Sequence, residues 1–119
     1  MNVPERSLSY VLSPGESKVT DAPDSKTENT GTFTFNKEDH TLGNLLRMQL
    51  LRDKEVRFAG YIMPHPLVNR LDLKVMTNDA QKRPKDNLTF AFDDLIEESD
   101  NLMKKLDDAV DDWNYRNPK

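Results

Sequence analysis

The sequence predicts a two-layer α+β domain in the order β-β-α-β-β-α, with an antiparallel sheet backed by two helices. Several short segments alternate apolar and polar residues, which is typical of strands with one buried face. A leucine-rich run between two of these segments indicates a short helix. In the last third of the chain, apolar residues recur at alternating gaps of four and three, as expected for a long amphipathic C-terminal helix.

The chain of 119 residues has room for one domain with its own core. Residues 1–31 are rich in Ser, Thr, Asp, Pro and Gly, so we expect an extended arm there. Within this arm, the β-branched residues favour a short strand around residues 18–20. The domain itself is expected to span residues 32–115, and residues 116–119 to form a tail.

The first strand of the domain is predicted at residues 32–36, where Phe33 and Phe35 point to one face and threonines point to the other. The last strand is predicted at residues 71–76, where apolar residues at odd positions alternate with largely polar residues at even positions. Both segments are therefore expected to bury one face and to expose the other.

A further strand is predicted between these two, at residues 56–63. Val56, Phe58 and Ile62 are expected on one face of it, and Gly60 is interpreted as a bulge. Two prolines directly after the strand then predict a turn, because neither can donate a hydrogen bond to a ladder.

The first helix is predicted at residues 41–52, with Asp39 as the cap that accepts a backbone N–H. Gly43 inside it costs about 1 kcal/mol relative to alanine, so we expect another backbone to approach closely at this position. Met48 and Leu51 lie off the main apolar stripe, so the helix has more apolar surface than one sheet face covers. The main stripe consists of Leu42, Leu45, Leu46 and Leu50.

The last helix is predicted to begin at Pro84, because a first helical position needs no hydrogen-bond donor. Arg83, the residue before it, cannot act as a side-chain cap. From Leu88 to Trp113 the helix would be about 39 Å long, whereas a typical strand covers about 20 Å. About half of its apolar stripe would therefore extend beyond the sheet. The stripe consists of Leu88, Phe92, Leu95, Ser99, Leu102, Leu106, Ala109 and Trp113, widened by Ile96, Met103 and Val110.

An exposed overhang would leave large apolar side chains in water, each forgoing about 1.5 to 3 kcal/mol of burial. A stripe of this kind more often folds back onto its own sheet, but the two-sided first helix and the overhang together favour a partner helix. The opposite face is acidic, and a run of charge on a helix is usually a solvated face rather than a metal site. It carries Asp93, Asp94, Glu97, Asp100, Lys104, Asp107, Asp108 and Asp111.

The composition excludes several classes of function. A net charge of −4 and a pI near 5.1 argue against a protein that binds nucleic acid by itself. The absence of cysteine excludes disulfides and thiolate metal sites. No stretch is apolar enough to span a membrane or to act as a secretory signal, so we expect a cytosolic or nuclear protein without membrane contact.

Side chains with catalytic or metal-binding potential are few. His40 and His65 are the two histidines, and the neighbours Glu38 and Asp39 provide no third ligand at suitable spacing. We therefore expect hydrogen-bonding roles for both histidines, and no catalytic residue, metal or cofactor. The one basic cluster, which includes Arg47, is interleaved with acidic residues, so contact with an acidic protein surface is favoured over contact with DNA.

The motif EDHTLGNLLR, at residues 38–47, resembles the signature of the small alpha-like subunits of cellular RNA polymerases, a family related to archaeal subunit L and to the amino-terminal domain of the bacterial alpha subunit. The motifs QLLRD, VRFAGY and PHPL follow in order between residues 49 and 67. The opening MNVPER and the GESK at residues 15–18 also resemble this family. Within it, the wording is most similar to the eleventh-subunit branch of eukaryotic RNA polymerase II.

The resemblance implies a non-catalytic, nuclear subunit of DNA-directed RNA polymerase II. It implies a heterodimer with the larger alpha-like subunit, the third, and a platform on which the two large catalytic subunits assemble. Other polymerase subunits, including the largest one, are implied as further contacts, with Arg47 as the candidate residue for the largest. The predicted interface with the alpha-like partner consists of Leu42, Gly43, Leu45, Leu46, Leu95, Leu102, Leu106 and Val110.

Three alternatives remain open at this point. The small alpha-like subunit shared by RNA polymerases I and III is the nearest, and the large subunits that co-purify would distinguish it. A small pterin dehydratase uses a related two-layer fold and relies on histidines, so enzymatic activity lost on His40→Ala would favour it. A free-standing dimeric adaptor would instead form a stable homodimer without polymerase subunits.

Overall fold

The computed structural model describes residue 3 and residues 5–119, and they form a four-stranded antiparallel sheet with two helices on one face. The sheet order is β1-β2-β4-β3. The predicted order of elements and the two-layer α+β architecture are confirmed. After a short 3-10 turn at Arg6–Ser9, the elements are β1 (Val19–Pro23), β2 (Thr30–Asn36), α1 (His40–Leu51), β3 (Val56–Ile62), β4 (Arg70–Thr77) and α2 (Pro84–Arg116).

The two central strands, β2 and β4, supply the inner face of the sheet. Phe33 pairs with Leu73 and Phe35 with Leu71, and all four side chains are buried. Residues at alternate positions point to the opposite face, away from α1 and α2. The predicted period-two pattern of these strands is therefore confirmed.

Strand β1 lies within the segment expected to be an extended arm. It pairs with β2 along its whole length, from Val19 opposite Phe35 to Pro23 opposite Gly31. A proline is tolerated there because β1 is an edge strand, so its missing N–H faces no neighbouring strand. The side-chain amide of Asn36 donates to the carbonyl of Ser17 at 2.7 Å and fixes the chain just before this strand.

Strand β3 differs from the sequence prediction in the direction of its side chains. A register shift between Val56 and Phe58 leaves one extra residue on β3, so the bulge lies there and not at Gly60. Beyond the bulge every side chain changes face. Ala59 therefore packs in the core, whereas Phe58 and Ile62 are exposed. The prediction that Val56, Phe58 and Ile62 share a face is wrong for this reason.

Helix α1 begins and ends within one residue of its predicted bounds. The carboxylate of Asp39 accepts a hydrogen bond from the backbone N–H of Thr41 at 2.9 Å, which confirms the predicted cap. Leu46 and Leu50 are completely buried and join the residues of the sheet in one core. One side of α1 is therefore part of the interior of this chain.

The tight contact predicted at Gly43 is made by an aromatic ring rather than by another backbone. A Cβ atom at Gly43 would lie 2.7 Å from two ring carbons of Tyr61, which belongs to β3. The Tyr61 hydroxyl lies 2.8 Å from Nδ1 of His40, so the tip of the side chain also contacts the first turn of α1. Glycine is thus needed to let α1 pack on its own edge strand.

Helix α2 packs on the sheet only along its first turns. Pro84 occupies the first turn, and Arg83 makes no side-chain cap, as predicted. Leu88 and Ala91 are buried, and the ring of Phe92 lies 6.2 Å from that of Phe35. From residue 96 onward every residue of the helix is exposed. The predicted overhang of the apolar stripe is therefore confirmed.

Candidate dimerisation surface

The exposed part of α2, residues 96–116, carries a row of large apolar side chains that this chain leaves uncovered. Leu106 is 61% exposed and Trp113 is 62% exposed. Full burial of each such side chain would contribute about 1.5 to 3 kcal/mol. We call this row the distal stripe; it consists of Ile96, Leu102, Met103, Leu106, Val110 and Trp113.

The exposed side of α1 continues this apolar surface. Leu45 lines a shallow groove of about 470 Å³ together with Leu95 and Leu102, so side chains of both helices border one depression. Leu45 and, further along α1, Met48 and Leu51 are about half exposed. The surface therefore begins on α1 and extends along α2.

An ion pair links the two helices next to the groove. Arg52, at the end of α1, donates to Glu98 of α2 at 3.1 Å and also contacts Gln49 at 3.2 Å. Nearby, the hydrogen bond that Lys82 donates to Glu55, at 2.8 Å, raises the pKa of Lys82 above its ordinary value. These contacts link the helices and the loop before α2 through exposed side chains.

The residues predicted for the partner interface divide into three groups by burial. Leu46 is 0% exposed and Gly43 is buried beneath Tyr61, so both belong to the interior of this chain. Leu42 and Leu95 are half-buried against the core. The remaining predicted residues are open to solvent, namely Leu45, Leu102, Leu106 and Val110.

Arg47, the predicted contact for the largest polymerase subunit, lies on α1. Its guanidinium donates to the side-chain oxygen of Asn44 at 2.8 Å, one turn earlier. Asn44 also lies within 3.7 Å of the sulfur of Met48. The side of α1 that carries Asn44, Arg47 and Met48 is thus partly polar, whereas Leu45 borders the groove.

Sequence reasoning did not place Phe58 and Ile62 on the surface, because no pattern in the strand reveals the bulge that turns them outward. It also missed Tyr61 as the neighbour of Gly43, since the two residues lie on different elements. For Met48 and Leu51 the sequence does carry a signal of exposure, because both lie off the main apolar stripe of α1.

The histidines take no part in a metal site within the described residues. Among residue 3 and residues 5–119, no group of three or more His, Asp or Glu side chains is arranged to hold a metal ion. His40 contacts Tyr61 through a hydrogen bond and an edge-to-face ring contact, which confirms the hydrogen-bonding role expected for it. No helix in this part of the chain is both long and apolar enough to cross a membrane.

Comparison with known proteins identifies the family. Residues 30–105 match the family described as the RNA polymerase Rpb3/Rpb11 dimerisation domain, which is more than half of the chain. The chain belongs to this family. It is 46% identical, over 110 residues, to the probable DNA-directed RNA polymerase II subunit RPB11 of Caenorhabditis briggsae, covering 92% of this chain and 88% of that protein. It is 49% identical, over 79 residues, to the polymerase II subunit rpb11 of Dictyostelium discoideum, covering 66% of each.

A solved structure supports the fold. The crystal structure of DNA-directed RNA polymerase subunit L from Thermoplasma acidophilum superimposes with a TM-score of 0.67 at 20% identity, covering 83% of this chain and 96% of that one. The comparisons confirm the predicted family, with its RPB11 branch, and the predicted fold class. The protein is accordingly a non-catalytic subunit of RNA polymerase II, and its partners are polymerase subunits.

Proposed function

We propose that this protein forms a heterodimer with the larger alpha-like subunit of RNA polymerase II, the third subunit, through the distal stripe and the exposed side of α1. The pair then serves as the platform on which the two large catalytic subunits assemble in the nucleus. The match to a dimerisation domain and the polymerase II names of the relatives support this assignment.

The single observation that carries the proposal is the solvent exposure of the distal stripe. An amphipathic helix normally buries its apolar face, yet α2 is a well-formed helix over 33 residues and buries only the first part of that face. A partner helix would bury the rest. Leu106, in the middle of the stripe, would then lie at the centre of the interface, where most binding energy is concentrated.

The decisive experiment is Leu106→Asp in cells that also produce the third subunit. Placing an unpaired charge in a desolvated apolar contact costs several kcal/mol, so we expect the third subunit to be lost from affinity purifications. Because Leu106 lies outside the core of this chain, the isolated variant should keep its own fold, measured by circular dichroism. Full retention of the third subunit would refute the proposal.

Tyr115→Asp provides a matched control. Tyr115 is a large exposed side chain of the same helix, and it lies on the opposite side from the distal stripe. Replacing this large exposed side chain by a carboxylate, as at Leu106, should therefore leave the heterodimer intact. Equal loss with both variants would mean that the helix end, and not the stripe, is required.

Arg47 is proposed to contact the largest subunit rather than the third. Arg47→Ala should therefore leave the heterodimer intact and reduce the amount of the largest subunit that is retained with it. Unchanged retention of the largest subunit, measured by quantitative mass spectrometry, would remove Arg47 from this role.

A further inference from the structure

The negative charge of this protein is concentrated on the part of α2 that carries the distal stripe. Between residues 93 and 112 the helix carries nine carboxylates and two lysines, a net charge of −7. The whole chain has a net charge of −4, so the rest of the molecule is positive by three charges. This stretch of α2 is therefore far more acidic than the remainder of the protein.

The helical positions of these charges place some of them directly next to the stripe. With 3.6 residues per turn, Asp100 and Asp107 lie about 90 to 110° from the centre of the stripe, along one margin. Asp93 continues the same line one heptad earlier. Glu98 and Lys105 occupy the other margin, and Glu98 already contacts Arg52. One margin is thus purely acidic, whereas the other is mixed.

A second copy of this chain would bring an equally acidic helix against this surface. Like charges placed side by side destabilise a helix pair, and opposite charges stabilise it and determine partner choice. A facing helix with Lys or Arg beside its apolar row would instead form pairs with Asp100 and Asp107. The apolar stripe supplies attraction to either partner, and the acidic margin discriminates between them.

We infer that the acidic margin formed by Asp93, Asp100 and Asp107 selects a partner helix with basic residues flanking its apolar row, and disfavours a homodimer of this chain. This inference rests on the proposed function, because it uses the same surface. It adds the chemistry of the partner and a reason for pairing with a different chain.

The test compares two doubly neutralised variants of the full chain. Asp100→Asn with Asp107→Asn removes two charges from the margin, and Glu97→Gln with Asp108→Asn removes two charges from the opposite face of the same helix. In sedimentation of the purified chain at low salt, the margin variant should self-associate about tenfold more tightly than the wild type. The control variant should differ from the wild type by less than about twofold.

Salt concentration supplies a second readout. Screening weakens both repulsion and attraction between exposed charges, so added salt should strengthen self-association of the wild type and weaken its binding to the third subunit. Equal self-association of the two variants, or a response of both complexes to salt in the same direction, would overturn the inference.

These results are separable from failure of the proposed function. If Leu106→Asp retains the third subunit, the surface itself is wrong and the proposed function fails. If Leu106→Asp releases the third subunit but the margin variant behaves like its control, only the charge-selection inference fails.

Discussion

The two halves of α2 carry the same apolar repeat but lie in different surroundings. Residues 84–95 pack on the sheet, where Leu88 is buried and Phe92 lies against the ring of Phe35. Residues 96–116 continue the repeat without a layer beneath it, and Leu102 and Leu106 are exposed. The change occurs within one continuous helix, between residues 95 and 96.

This difference shows that one sequence pattern can serve two purposes. In the first half, apolar burial contributes to the stability of the isolated chain. In the second half, the same residue types contribute little to that stability until a partner covers them, because the free energy of burial is gained only when water is displaced. Substitutions in the first half should therefore lower the stability of the isolated chain, and substitutions in the second half should weaken binding of the partner.

The largest expected effect is a difference in the free energy of unfolding between Leu88→Ala and Leu102→Ala. Leu88→Ala removes buried methyl groups and leaves a cavity, so the free energy of unfolding of the isolated chain should fall by about 2 to 5 kcal/mol. Leu102→Ala shortens an exposed side chain and should change the free energy of unfolding by less than about 0.5 kcal/mol. Both values can be measured by urea denaturation. Similar losses for the two variants would mean that the distal half is packed within the isolated chain.

A smaller effect is expected at Gly43, which the sequence suggested as a contact for a partner and the structure places under Tyr61. Gly43→Ala gains about 1 kcal/mol of helix propensity but forces the new Cβ against the ring, at a cost of about 1 to 3 kcal/mol. The net result should be destabilisation of the isolated chain.

The Tyr61→Ala background tests the cause of this effect. With the ring removed, Gly43→Ala should become stabilising, by up to about 1 kcal/mol. If the sign is unchanged in that background, the ring is not what requires a glycine. If Gly43→Ala alters only binding of the third subunit, the position belongs with the exposed region rather than with the core.

The smallest effect is expected at the cap of α1. Asp39→Ala removes the acceptor for the Thr41 N–H and should lower the free energy of unfolding by about 1 kcal/mol. Asp39→Asn retains an oxygen acceptor and should lower it by less. Neither variant should weaken binding of the third subunit through the distal stripe. If a variant of normal stability failed to form the heterodimer, Asp39 would have a role beyond capping α1.

Local patterns were sufficient for much of this fold. The alternation in β2 and β4, the Asp39 cap and the Pro84 start each depend on neighbouring residues, and each appears as expected. Predictions that depended on distant residues were less successful. The sequence predicts a close backbone at Gly43, whereas the neighbour in the structure is the ring of Tyr61, which is 18 positions away in the chain and becomes adjacent only when α1 packs on β3.

By itself, the sequence determined the order of elements, the family and the length of α2. The helical period, the strand alternation and the family motifs all depend on residues that are close together in the sequence. The tertiary structure decided which apolar residues this chain leaves exposed. Leu46 and Leu106 are the same residue type on amphipathic helices, yet one is 0% exposed and the other 61%. The bulge in β3 likewise turned Phe58 outward. Burial depends on which layer lies opposite a side chain, and only the packed arrangement of the layers specifies that.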